Sequence, residues 1–127
     1  MLTPTNSKRA PRLRFTRDHR IRSGLHFARA YERRQRAGDD VLLVFGCENG
    51  LPHPRLGLSV SRKVGRATVR NRWKRLLREA FRLSQRELPQ GVDLVVIPRP
   101  EAKPTLDLVR TSLRRLSRKV AQRLKVP

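Results

Sequence analysis

The chain has 127 residues, of which 31 are Lys or Arg and 10 are Asp or Glu, a formal net charge of +21. Leu, Ile, Val and Phe occupy 35 positions, above the roughly 20% below which a charged chain stays disordered, so the composition excludes an unfolded polycation and allows one modest core. The longest uninterrupted apolar runs, Val41 to Phe45 and Leu94 to Ile97, fall far short of the ~18 residues that cross a bilayer, which excludes a membrane-spanning helix.

Charge of this size repels itself, and most of the basic side chains have no acid to pair with, so an anionic partner is expected: nucleic acid, an anionic membrane surface or an acidic protein. The basic start of the chain leads into no apolar h-region, which points to the cytoplasm rather than secretion. The single cysteine, Cys47, can form neither an internal disulfide nor a cysteine cluster and reads as an incidental thiol.

Residues 1–20 carry Pro4, Pro11, six basic residues and one acid, Asp18, without periodicity. They read as a flexible basic arm, leaving 21–127 as a single domain. Ser23 is a candidate N-cap for a helix running to about Arg36, with Phe27 and Tyr31 four apart on one face and Gly38 as the stop. Val41 to Phe45 reads as a strand, and Gly46 to Pro54, with Asn49-Gly50 and two prolines, as a loop between strands. Leu56, Leu58 and Val60 then alternate with Gly57, Ser59 and Ser61, which predicts a strand with one buried face and one small, polar face. That polar face is either an ordinary solvated surface or one kept clear for something to lie on.

From Arg66 to about Leu83 the period changes to 3.6, and Val69, Trp73, Leu76, Leu77, Ala80 and Leu83 share one stripe. Trp73 therefore reads as core. The other side collects Arg72, Lys74, Arg75, Arg78 and Arg82 with Glu79 the only acid, and like charges four apart destabilise an isolated helix by a few tenths of a kcal/mol each. Val92 to Ile97 reads as a buried strand ended by Pro98 and Pro100. Pro104 and Thr105 open a last helix with Leu106, Val109, Leu113, Leu116, Val120 and Leu124 on a narrow stripe. The order α-β-β-α-β-α, without internal repeats, fits a compact layered α+β or α/β domain.

Protein-borne catalysis finds no support in the residues. The acids are scattered apart from Asp39-Asp40 in a predicted turn, His19, His26 and His53 stand at no metal-ligand or triad spacing, and no Walker-type loop is present. The positive signal runs from Ser59 to Phe81. A polar strand face leads through Arg62-Lys63, turns at Gly65 and enters the arginine-faced helix, whose guanidinium groups suit bidentate contacts to phosphate.

This segment closely resembles the signature of the bacterial ribonuclease P protein component, the small basic subunit that partners a catalytic RNA in removing 5′ leaders from precursor tRNAs. Ser59-Val60-Ser61, the basic pair Arg62-Lys63, Val64-Gly65, then Arg70-Asn71-Arg72, Trp73-Lys74-Arg75 and Arg78-Glu79-Ala80-Phe81 follow the family pattern in order, and the flanks extend the resemblance over about residues 12 to 122. The resemblance implies a small single α+β domain, a mainly antiparallel central sheet packed against helices, with a left-handed β-α-β crossover that the usual right-handed rule would have rejected. It assigns Arg62, Lys63, Arg70, Asn71, Arg72, Lys74, Arg75 and Arg78 to the catalytic RNA. It assigns Phe27, Tyr31, Phe45, Ser59 and Ser61 to the leader; the i, i+4 aromatics would equally arise as plain core. The chemistry would belong to the RNA and its Mg²⁺, with precursor tRNA as substrate and with no membrane or small-molecule cofactor involved. A ribosomal protein, sharing the basic arm and the arginine-faced helix but lacking turnover, is the alternative. A membrane-active basic protein would need bulky aromatics opposite the charge, which the helices lack.

Overall fold

The computed structural model describes residues 13–126. Three helices, α1 (Gly24–Glu32), α2 (Ala67–Ser84) and α3 (Leu106–Leu124), and four strands, β1 (Gln35–Gly38), β2 (Leu42–Glu48), β3 (Arg55–Leu58) and β4 (Val92–Pro98), are joined by turns that include 3₁₀ segments at Arg17–His19 and Arg62–Val64. The strands form one sheet in the order β1-β2-β4-β3. β1 and β2, and β2 and β4, pair antiparallel, while β3 and β4 are parallel neighbours connected through α2.

Alternation along β2 and β4 divides the side chains between the two faces of the sheet. Leu42, Val44, Leu94 and Val96 are buried with Trp73, Leu77 and Phe81 of α2 and Val109, Leu113, Leu116 and Val120 of α3 in the main core. Cys47 and Val95 face the other way and join Ile21 and Ala30, with Phe27 and Phe45 packed against them. The sheet thus lies between an α2–α3 layer and the shorter α1, which explains why β4 is buried at almost every position.

α3 follows its predicted stripe, and so does α2 up to Ala80, but at its end α2 buries Phe81 and Ser84 while Leu83, placed on the predicted stripe, lies outside the core. Thr105 caps α3 by accepting from the Leu108 N–H, and Ser23 caps α1 by accepting from the Leu25 N–H, each satisfying one of the free amides at a helix start. α1, however, stops at Glu32 rather than near Arg36. Arg34 takes a left-handed backbone (φ 59°), and the chain enters an edge strand in which Ala37 faces the core opposite Val44. Pairing with β2 overrides the good intrinsic helix propensity of Arg33 to Ala37, whose crowded like charges oppose a helix, and Gly38 ends a strand instead of stopping a helix.

The predicted β3 alternation also ends early, at Leu58, with Ser59 and Ser61 beyond it. The segment read as a flexible arm is corrected in its second half. Phe15 packs against the main core, Arg20 forms a parallel bridge to Leu56, and the Ile21 N–H donates to the Leu56 carbonyl at 3.0 Å, so residues 13–20 belong to the folded body. The first part of that predicted arm, residues 1–12, lies outside the described residues. Among the described residues no helix is long and apolar enough to cross a membrane.

Candidate nucleic-acid interface

The basic ridge begins where the chain leaves β3. Ser61, exposed, precedes the 3₁₀ turn that carries the exposed Arg62 and Lys63. Gly65 closes that turn at φ 146°, a conformation that a side chain would strain, and a Cβ there would also press on Val69 at 3.1 Å. α2 then projects Asn71, Arg72 and Arg75 into solvent, with Lys74 and Arg78 half-buried beside them. Arg70 sits at the margin, its Nε shut away from solvent with no hydrogen-bond partner among the described residues. Glu79 is taken by Arg82 at 2.6 Å, so Arg72, Lys74, Arg75 and Arg78 face outward with no carboxylate in ion-pair reach among the described residues.

The aromatic residues occupy the opposite face of the sheet. Tyr31, 37% exposed, stands edge-on to Phe45 with ring centroids 5.0 Å apart. Phe27 lies deeper: a Cβ at Gly57 would come within 2.9 Å of its ring, so the clear strand face predicted around Gly57 is filled by the chain's own Phe27. Tyr31 and Phe45 are therefore available to a ligand, while Phe27 serves the core as well. Ser59 is half-buried, its N–H donating to the Val96 carbonyl at 3.1 Å, and neither Ser59 nor Ser61 lies on the strand face that was expected to present them.

The two surfaces meet at the β3 edge in a hollow of about 290 Å³, lined by Phe15, Arg20, Phe27 and Leu58 on one side and Lys74 and Arg78 of α2 on the other. Phe15 and Arg20 were absent from the sequence-derived site because they fell in the presumed arm; the apolar ring of Phe15 amid cations was the signal available. Beneath the site, Arg55 clamps Asp93 through two contacts of 2.7 and 2.6 Å, and Asn49 adds a third at 3.0 Å, so the buried carboxylate is fully engaged. The hydrogen bond to Asp93 raises the Arg55 pKa. Burial, with Asp93 beside it, pushes the Cys47 thiol up to about 11, which keeps it protonated and unreactive. Burial lowers the His19 pKa, and His53, whose ring is 5.1 Å away, lowers it further. Among the described residues no three His, Cys, Asp or Glu side chains converge on one site.

A small mixed sheet with a basic helix on one side, whose one acid Glu79 is spent on Arg82, and open aromatic rings on the other defines a basic α+β RNA-binding protein. The family model of ribonuclease P matches residues 15–124. The ribonuclease P protein component of Salmonella paratyphi A is 47% identical over 87 residues, covering 68% of this chain and 72% of that protein. Solved structures are similar over most of the chain. The RNase P protein of Staphylococcus aureus is 34% identical, with a TM-score of 0.69 over 82% of this chain and 95% of its own. That of Thermotoga maritima is 35% identical, with a TM-score of 0.70 over 78% and 96%. The chain belongs to the ribonuclease P protein family, and the α+β fold expected from the signature is the one observed.

Proposed function

We propose that this chain is the protein subunit of ribonuclease P, binding the catalytic RNA through Arg62, Lys63, Arg70, Asn71, Arg72, Lys74, Arg75 and Arg78 and the precursor-tRNA leader through the face of Tyr31 and Phe45. The observation that carries the reading is the hollow at the β3 edge, which sets the Lys74 and Arg78 cations against the Phe15 and Phe27 rings, with the Tyr31–Phe45 pair beyond it on the sheet face that Phe27 covers. Phosphates neutralised on the ridge release counterions, and unstacked leader bases gain about 1 to 3 kcal/mol each on aromatic rings without sequence-specific hydrogen bonds. Phe27 supports this face from beneath, and Ser59 and Ser61 line the approach from β3 to the ridge. The protein thereby screens phosphate repulsion and positions the leader in the cytoplasm, while the hydrolytic chemistry and its Mg²⁺ reside in the RNA.

The test is cleavage of a precursor tRNA at low Mg²⁺ by the cognate ribonuclease P RNA, with and without this protein. Strong stimulation is expected. No stimulation, with tight binding to ribosomal RNA instead, would favour a ribosomal role.

A further inference from the structure

The basic face of α2 is not uniformly polar. A second hollow, of about 480 Å³, opens on it with Phe15 and Leu76 as apolar lining, ringed by Arg72, Arg75, Arg78 and Arg82. Glu79, also on its wall, is bound to Arg82. We propose that this hollow takes up one unpaired nucleobase of the RNA that binds α2, so that Phe15 adds a stacking contact to a phosphate-binding surface. The proposal rests on the assignment of α2 to RNA made above and names the feature of that RNA which the helix recognises.

Phe15 is held in place for such a role. Its ring packs edge-on to the buried Phe81 at 5.4 Å, lies near-parallel to the His19 ring at 6.4 Å, and has the guanidinium of the exposed Arg20 over its face at 4.9 Å, a side chain that a base stacking on that face would displace. Its neighbours are tied to α2, with Arg82 Nη1 donating to the Leu13 carbonyl at 3.1 Å and Gln85 Nε2 donating to the Arg14 carbonyl at 2.9 Å. A ring fixed in advance loses little freedom on binding, which favours affinity. The surroundings choose the ligand. An acidic peptide would satisfy the arginines but offers few planar π faces, and a lipid headgroup would satisfy them while leaving the Phe15 ring without a stacking partner. A nucleotide presents a phosphate for Arg72 and Arg75 and a flat base for Phe15, and guanidinium planes themselves stack on bases.

The test is binding of the full chain to the cognate ribonuclease P RNA, without precursor tRNA, at several salt concentrations. The Phe15→Leu variant keeps an apolar side chain but loses the π face, and Phe15→Tyr keeps the ring. Phe15→Leu is expected to weaken binding at least about 5-fold with the slope of log affinity against log salt unchanged, since no phosphate contact is lost, and Phe15→Tyr to bind as the parent does. Unchanged affinity in a folded Phe15→Leu would overturn the proposal. A second measurement needs no variant: chemical modification of base edges is expected to reveal one unpaired base protected by the parent protein, and protection of backbone alone would also overturn it. The wider reading fails separately, if Arg72→Ala with Arg75→Ala leaves both affinity and salt slope unaltered.

Discussion

Asp39 is a residue with more structural responsibility than its place in a surface turn implies. Its carboxylate accepts from the Val41 N–H at 2.8 Å, the Leu42 N–H at 2.9 Å and the Ser112 hydroxyl at 2.7 Å, and pairs with Arg115, fastening the β1–β2 turn to α3. Burial alone would raise its pKa, but the bonds from Leu42, Ser112, Val41 and Arg115 together outweigh burial and bring it below 3.8. A carboxylate depressed in the folded state stabilises fully above its unfolded pKa and loses that contribution as pH falls through the folded value. Asp39→Asn is therefore expected to cost about 1.5 to 3 kcal/mol at neutral pH. In paired unfolding curves the gap from the parent should close below pH 3.8. A gap independent of pH would mean that shape, not charge, is what the turn needs.

At the scale of elements, the proposed function gives α1 and α2 different ligands through different physics. α1 supplies rings, and only Tyr31 among its aromatics is substantially open, because Phe27 is used to fill the space above Gly57. Tyr31→Ala is thus the cleaner probe of leader binding. The expected result is a loss of about 5-fold or more in affinity for precursor tRNA by the holoenzyme, from one lost stacking contact, with mature tRNA binding unchanged. Equal losses on both ligands would show that the ring supports assembly rather than the leader. α2 supplies charge, and its sequence accepts like charges four apart, such as Lys74, Arg78 and Arg82, that weaken an isolated helix. Burial of Trp73, Leu77, Ala80 and Phe81 holds the helix in spite of them.

The whole molecule carries +21 charges, and its ion pairs among the described residues are few and mostly at the surface, Arg55–Asp93 being the buried one. Exposed pairs contribute little, about 0 to 1 kcal/mol each, so repulsion should dominate the salt response. The thermal midpoint of the free protein is expected to rise between 0.01 and about 0.5 M NaCl, as the screening length shortens from about 30 Å. A midpoint that fell with salt would show the pairs outweighing the repulsion.

Local information determined a large part of this protein. The 3.6 periodicity set out α2 and α3 because their apolar stripes answer to one continuous core, and the ordered run from Ser59 to Phe81 sufficed for the family. What depended on distant partners was not legible. The stretch from Gln35 to Gly38 is a strand only because β2 lies beside it, and the polar side of β3 is occupied because α1 returns to lay Phe27 on Gly57. Phe15 looked like part of a tail because its partners, Phe81 and Arg82, lie far along the chain. Periodicity reports what each segment can bury; which surfaces then remain open to RNA is decided only when the segments meet, and here that meeting joins the cations of α2 to the rings beside β3.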